Sequence, residues 1–537
     1  MKIWIKTICV LLALLLSASL IVLFAGCGKK ETPDGEDDPA DDTNEEEENT
    51  VQTGLDKYPK NSSYYNYAQS LSYVGGYDEG AKTLRNEILN APNTEDIYDL
   101  TGKNVKRIPK ETSWKTVKSY IKTARADGVN VILLERGGCW RVGCIGDLYV
   151  NPGVIIGAYG TGEKPRLYGS SKNYAGDEGW QRSADNNNVW TITLEKENDV
   201  GNIVFDEIAC LGVKKWTLED VKKTYDYYFD KKTCVLYLYY PDDLKTDFTD
   251  IEISQRGEII QMRANSVLDN ICLRYTGSHA VNAGHQISNV TVTNCEVGFI
   301  GGSLQFYEGE RPVRYGNGIQ LGMGSIDSTI KHNWVYQCYD AGITFQSWVV
   351  YNNDGSTKRQ DSNYHNLEIS ENLIEFCCYN IEFFTTNYES NGSYSDYRDI
   401  RIINNVLRFS GYEWAYKQRP DPKMCSQIRG GQYAWVQDCE DFVITGNVFD
   451  CAGSNTVFWW WNDPARGFNH NVDHPGLTVE HNTYYVIKPF TSDKSGMVFK
   501  DYSSLTIYSE ADARAAIAKF DKNPTAVVWI KQLAPEK

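Results

Sequence analysis

Residues 366–377, NLEISENLIEFC, and residues 399–410, DIRIINNVLRFS, spell one short pattern twice. An alternating apolar run leads to an asparagine, two or three apolar residues follow, and a small or thiol side chain closes the segment. Four further segments repeat it: NVTVTNCEV (289–297), STIKHNWVYQC (328–338), DFVITGNVFDCA (441–452) and GLTVEHNTYYV (476–486). Their asparagines, Asn294, Asn333, Asn372, Asn405, Asn447 and Asn482, are separated by 39, 39, 33, 42 and 35 residues. Recurrence at that scale marks a stacked-repeat architecture. Short β-rich units of variable length without helical periodicity predict an all-β chain wound as a parallel solenoid.

Each strand alternates inward and outward side chains, as in Ile343, Thr344, Phe345, Gln346, and no single coil can bury its inward face alone. Stacking coils about 4.8 Å apart buries it. Asparagine suits a turn because it tolerates the left-handed conformation, and successive amides can form a ladder. The asparagines are therefore read as structural. Cys338, Cys377, Ser410 and Ala452, each five residues after its Asn, are read as small residues fitting beneath the next coil.

The pattern resembles the right-handed parallel β-helix superfamily, the fold of pectate lyases, polygalacturonases and other bacterial carbohydrate-active proteins. VNVILLERGGCWR (129–141) followed by PGVIIGAYGTGEKPRLYGS (152–170) looks like the first coils of β-helix proteins assigned to polysaccharide breakdown. The resemblance covers residues 129–487. It implies a fold that hosts hydrolases, lyases, epimerases and non-catalytic adhesins, so the fold does not choose the chemistry. Residues 75–91 and 113–126 within a 53–128 cap region are expected to be helices covering the first coil, with Ser113 as an N-cap and Trp114, Val117, Tyr120 and Ile121 on one face. Residues 172–257 are expected to form a β-hairpin insertion. The tail, 488–537, carries a predicted helix over SEADARAAIAKF (509–520) that covers the other end or packs along the side.

The first residues fix an address. Two lysines by residue 6, an apolar run over 8–25 and Phe24-Ala25-Gly26-Cys27 read as a secretory signal over 1–26. It resembles a bacterial lipoprotein signal with Cys27 as the lipidated residue; an uncleaved anchor is the other reading, since about 18 apolar residues just span a bilayer. Both place the folded part outside the cytoplasmic membrane. Residues 31–50 hold eleven acidic and no basic side chains, a composition that stays extended by self-repulsion and makes 27–52 a tether.

Of the formal charge of −17, the tether supplies −11 and the residues before it +4, leaving −10 for 51–537. A mildly acidic body without a basic tract argues against nucleic acid as a partner. An acidic polysaccharide stays open, because local clefts can be basic. The chain has 14 cysteines, most inside repeats, which reads as buried free thiols rather than disulfides; Cys139 and Cys144 are the first pair to check for a bridge. No Cys/His spacing fits zinc, and the seven histidines are scattered. No metal or cofactor is expected for a hydrolase, with Ca2+ entering only if the protein is a lyase, and the chain reads as a monomer.

Stacking the first inward residues, Ile319, Ile343, Ile381, Ile428 and Val457, puts Gln320, Thr344, Glu382, Arg429 and Phe458 in one outward column, with Gln346, Phe384 and Trp460 beside it. Glu382 and Arg429 would then be neighbours on adjacent rungs, a charge-assisted pair or a plain surface ion pair. The loop GYEWAYKQRPDPKMCSQIRGG (411–431) resembles a YxWxYQRP-like loop of the same β-helix group. It carries Glu413, Trp414, Tyr416, Lys417, Arg419 and Asp421 towards Arg429, and loops on rigid scaffolds commonly bind ligands. A second excursion, SLQFYEGERPVRYGNG (303–318), brings Glu308, Glu310, Arg311 and Arg314. Aromatic rings such as Trp414, Tyr416 and Trp460 can stack on sugars while Gln320, Gln346, Lys417 and Arg419 bond hydroxyls. A glycoside hydrolase needs two carboxyls flanking the bond, and Asp340, Glu382, Glu413 and Asp438 are available, with Glu382 and either Asp340 or Glu413 as the expected pair. A lyase would use Arg429, Lys417 or Arg419 as base. The paired-Asp and GHG motifs of polygalacturonases and the calcium cluster of pectate lyases are absent, and a non-catalytic glycan-binding protein is the third reading.

Overall fold

The computed structural model describes residues 76–531 apart from 144–149, 207–209, 211, 348–351, 353, 385–393, 420–424, 431–437, 453–456, 461–475, 489–495, 498, 501–505 and 508. Three parallel sheets run the length of the body. Sheet A has ten strands from Val105–Ile108 to Leu477–Glu480, sheet B ten from Cys139–Arg141 to Ala526–Lys531, and sheet C eight from Ile260–Met262 to Phe499–Lys500. Each full coil passes through A, then B, then C, so the chain is an all-β, right-handed parallel β-helix, the hand that parallel crossovers take.

The inward column on sheet C is Ile260, Val281, Ile319, Ile343, Ile381, Ile428 and Phe458, paired rung to rung and buried throughout. Phe345 and Phe383 stack inside it with centroids 5.3 Å apart and planes 11° from parallel. The sequence register holds from Ile319 to Ile428 and slips by one after that: Ile428 pairs with Phe458, not Val457. Phe458 is therefore core, and in the ladder Trp459 pairs with Arg429 and Trp460 with Gly430.

At the corner between sheets A and B, Asn333, Asn372, Asn405, Asn447 and Asn482 form a fully buried ladder. Each Nδ2 donates to the Oδ1 of the next, at 2.9 to 3.0 Å, and the last donates to Asp521 at 3.1 Å. Asn294 is not a member; Cys295 stands at that rung and gives its backbone N–H to Asn333 Oδ1 at 2.8 Å. Nor do the ladder residues adopt the left-handed conformation. The residue before each does: His332, Glu371, Asn404, Gly446 and His481, with φ between 55° and 68°. The asparagines are required for buried hydrogen bonding, which an apolar side chain cannot supply.

Helices form at Asp78–Leu89, Thr94–Ile97, Trp114–Thr123 and Glu510–Ile517. Ser113 caps the third, its Oγ accepting from Thr116 N–H at 3.4 Å, and Val117 and Ile121 close the first coils against Ile132 and Trp140. The first helix does something else. It lies on the outside of sheet B, packing Ala81 and Ile88 on Leu373 and Val406, with Asp78 bound to the buried Arg408. The insertion is larger than a hairpin: a five-stranded mixed sheet from Gln181–Arg182 to Asp226–Asp230 and Val213–Lys214, and an antiparallel pair of Val200–Phe205 with Ile251–Gln255. It has its own core, centred on Trp180, Trp190, Phe205 and Tyr227. At the far end Phe520 packs on Phe458 with centroids 4.7 Å apart, after which Ala526–Lys531 adds a last strand to sheet B beyond residue 487. Among the described residues no helix is long and apolar enough to cross a membrane.

Candidate functional site

The outward face of sheet C carries one continuous polar column: Gln261, Asn282, Gln320, Thr344, Glu382 and Arg429, in register rung by rung. A cleft of about 560 Å³ opens on it, lined by Glu258, His279, Asn282, Gln305, Phe306, Tyr315, Asn317, Gln320, Asp340, Gln346, Glu382 and Arg429. Its long direction follows the solenoid axis, because its lining residues come from successive coils.

At the upper end Arg429 Nη1 donates to Glu382 Oε1 at 2.5 Å. The guanidinium also lies 4.6 Å from the centre of the Tyr379 ring. One turn away Arg419 Nη2 donates to Asp340 Oδ1 at 3.3 Å, binds the carbonyl of Tyr339 and stacks 4.7 Å from the Tyr339 ring. Burial pushes the Glu382 carboxyl up to about 7; the Arg429 charge opposes that and the Asp340 charge adds to it. Desolvation of the charged form outweighs the single ion pair here. Glu382 is 1 % exposed, so a proton held there near neutral pH sits at the base of the cleft.

The middle and lower parts are amides. Gln346 Nε2 donates to Gln320 Oε1 at 3.3 Å, Asn317 Nδ2 to the same oxygen at 2.8 Å, Gln320 Nε2 to Asn282 Oδ1 at 3.3 Å, and Asn282 Nδ2 to Glu258 Oε1 at 2.9 Å. The Thr344 hydroxyl, buried between Gln320 and Glu382 in the column, has no hydrogen-bond partner among the described residues. Asn317 N–H donates to His279 Nδ1 at 3.0 Å, which leaves the ring hydrogen on Nε2. Burial lowers the His279 pKa to about 4, so the ring is a neutral donor beside Tyr315, whose ring it meets edge-on at 5.2 Å. Sequence reasoning missed Glu258, His279, Asn282, Asn317, Tyr315 and Phe306. Extending the outward column one coil down, from Gln320 to Asn282 in VNAG, would have found the amides; His279 and Glu258 precede their strands, where alternation gives no signal.

Of the residues named from sequence, Glu382, Asp340, Arg429, Gln320 and Gln346 meet in the cleft, and Arg419 binds Asp340. The loop aromatics do not. Trp414 is buried with Tyr168, Phe299, Tyr336 and Tyr339 under the Arg314 guanidinium, 5.5 Å from its ring, because the loop folds down onto sheet B instead of standing over sheet C. It cannot stack on a sugar from there. Tyr416 packs on Cys378, Tyr379 and Cys425. Glu413 is buried beneath the same loop, outside the cleft lining, and both carboxyl oxygens lack a partner among the described residues. Burial pushes it, too, up to about 7, against the pull of Arg419. The side chains of Lys417, Asp438 and Trp460, and all of Cys27 and Cys144, lie outside the described residues. The eleven described cysteines are free thiols. Among the described residues no group of three His, Cys, Asp or Glu side chains is placed to hold a metal ion.

A second cleft of about 500 Å³ lies on sheet B, lined by Lys164, Arg166, Arg274, Glu296, Tyr168 and Trp334 among others. Its charges are committed to each other: Arg274 to Glu296, Arg166 to Glu163 at 3.1 Å, and Lys164 to Asn270. It offers no carboxylate raised by burial beside a second acid. The sheet C cleft is the stronger candidate on that ground.

No family model matches the chain. No curated protein matches it either. Among solved structures, a glycoside hydrolase is similar with 8% identity and a TM-score of 0.42 over 80% of this chain and 96% of that one. A polygalacturonase from Erwinia carotovora ssp. carotovora gives 9% and 0.27 over 81% and 97%, and a periplasmic alginate epimerase 7% and 0.28 over 75% and 77%. Likeness at this level says nothing about chemistry, and the fold assignment rests on the chain's own three parallel sheets.

Proposed function

We propose that the sheet C cleft binds a polysaccharide along the solenoid axis and hydrolyses a glycosidic bond, with Glu382 as general acid and Asp340 as the second carboxyl group. The observation that carries this reading is Glu382: a buried carboxyl pushed up to about 7, at the base of an open cleft, and sensitive to the charge of Asp340. A carboxyl poised near the working pH is what proton delivery to a leaving oxygen requires. Arg429 occupies Oε1 and so fixes the carboxyl plane, leaving Oε2 to carry the proton. Arg419 orients Asp340, which would meet the anomeric carbon directly or through a water, depending on the separation of the two carboxyls. The Gln346, Gln320, Asn282 chain of amides and the neutral His279 supply donors and acceptors for sugar hydroxyls.

Elimination through Arg429 or Arg419 is disfavoured because both guanidinium groups are bound to carboxyl groups and neither is free to act as a base. On this reading the protein works outside the cytoplasmic membrane, held by lipid on Cys27. Glu382→Gln tests the assignment: turnover of a responsive glycan should fall by about 10² to 10⁴, with substrate affinity retained. Full activity in the variant would refute the assignment. A product with an unsaturated 4,5 bond, visible by its ultraviolet absorbance, would make the protein a lyase, and binding without turnover would make it a glycan-binding protein.

A further inference from the structure

Large apolar side chains are rarely left open on a soluble surface in one place. Among the described residues five are exposed, and four of them fall together: Trp216 at 37 %, Leu218 at 41 %, Phe306 at 52 % and Tyr307 at 55 %. Trp216 and Leu218 belong to the inserted domain, immediately after strand Val213–Lys214. Phe306 and Tyr307 belong to the antiparallel hairpin Ser303–Glu308 and Arg311–Tyr315, which leaves the solenoid between sheets B and C. The two elements are more than eighty residues apart in sequence, yet the Trp216 and Tyr307 rings meet edge-on with centroids 6.3 Å apart. Tyr228, on the same face of the insertion, stacks on Tyr237 at 6.2 Å.

The patch is continuous with the cleft. Phe306 lines the cleft together with Tyr315 from the same hairpin, and the next residue, Tyr307, turns to Trp216. The rings run from the cleft wall outwards, with the Arg256 guanidinium 5.4 Å from the Tyr315 ring and the Lys214 ammonium 5.2 Å from the Trp216 ring, and the hairpin tip carries the Glu308 and Arg311 ion pair at 2.5 Å. Three of the four exposed residues are aromatic. Rings present flat apolar faces, and Tyr and Trp add a polar edge, which suits the alternation of C–H faces and hydroxyl rims on a pyranose better than it suits an aliphatic protein surface.

Charge narrows the ligand. The cleft lining holds three carboxyl groups, Glu258, Asp340 and Glu382, the last protonated near neutral pH and Asp340 bound by Arg419 from outside the lining, against one lining cation, Arg429, and His279 is neutral. That cation is already paired. A polyuronate would bring one negative charge per sugar into this lining with no uncommitted cation among the described lining residues to receive it, whereas a neutral glycan meets hydrogen-bonding groups throughout.

We infer that Phe306, Tyr307 and Trp216 form an accessory sugar-stacking subsite, through which the inserted domain and the 303–315 hairpin hold the part of a neutral polysaccharide chain that extends out of the cleft. The inference rests on the cleft being a glycan site, and it assigns the insertion its role.

The experiment compares the purified protein with its Trp216→Ala/Tyr307→Ala variant. Neutral gluco-, xylo-, manno- and galacto-oligosaccharides, as disaccharides and as long oligomers, and polygalacturonate are titrated by calorimetry, with turnover measured in parallel. Loss of two stacking rings should weaken the long neutral oligomer that binds by about tenfold and raise its KM by the same factor. The affinity of the corresponding disaccharide and kcat should not move. Equal loss on short and long oligomers, no loss on either, or preferential binding of polygalacturonate overturns the inference. So does a wild-type chain that self-associates by sedimentation while the variant does not, since the patch would then be a contact between copies. The affinity arm is independent of catalysis: a length effect in the absence of any turnover keeps the subsite and removes the hydrolase, whereas turnover lost in Glu382→Gln without a length effect keeps the hydrolase and removes the subsite. No binding by any oligomer overturns both.

Discussion

Replacing Asn372 by Leu tests what holds the coils in register. The Asn372 amide makes four hydrogen bonds in a site closed to water: Nδ2 donates to Asn405 Oδ1 and to the carbonyl of Ile330, both at 2.9 Å, and Oδ1 accepts from Asn333 N at 2.9 Å and Asn333 Nδ2 at 3.0 Å. Some of these partners have a second bond to fall back on. Asn333 Nδ2 keeps the carbonyls of Val292 and Lys331, and Asn405 Oδ1 keeps the backbone N–H of Asn372. The Asn333 N–H and the Ile330 carbonyl lose the partner the side chain gave them. At roughly 1 to 3 kcal/mol for each of these two buried groups, the loss is about 2 to 6 kcal/mol, and a leucine of similar size recovers little of it because the surrounding wall is polar. The assay is urea unfolding of the purified protein, paired with amide exchange at Asn333, whose protection should fall by about one to three orders of magnitude. Exchange matters because a solenoid need not unfold in one step. If neither the midpoint nor the Asn333 amide moves, the ladder is not a stabilising device.

Glu413, buried and raised to about 7, favours folding in its protonated form, so its contribution is present below the ordinary carboxylate range and is lost as pH rises through about 7. Glu413→Gln should therefore match the wild type near pH 4 and exceed it by up to about 3 kcal/mol near pH 8 in urea titrations; an unchanged pH dependence would contradict this. Trp414→Ala should cost stability, about 3 to 5 kcal/mol for a ring this buried, and its primary readout is the melting temperature; a raised KM with an unchanged melt would restore Trp414 to the binding surface. Cys27→Ser should abolish incorporation of labelled fatty acid, and unchanged labelling would remove the lipid anchor from the reading.

The period of two along each strand made much of this protein legible. It separated Ile343, Ile381 and Ile428 from Thr344, Glu382 and Arg429, and since parallel rungs stack residue on residue, the 2.5 Å contact of Glu382 with Arg429 followed from register alone. The same rule failed at 457–461, where five consecutive apolar residues erase the alternation and the strand slipped by one. The asparagine column was read correctly as structural, but not that the residue before each Asn makes the left-handed turn, because both sites favour polar residues. Three features were decided only by tertiary structure. Trp414 is buried because its loop finds an apolar bed on sheet B, a choice set by the shape of distant coils. His279 and Glu258 enter the cleft from turns, where no periodicity fixes direction. Trp216 and Tyr307 meet because an inserted domain with its own core docks beside a hairpin. Local pattern fixes which way a strand residue points; which surfaces touch is settled by the packing energy of the whole chain.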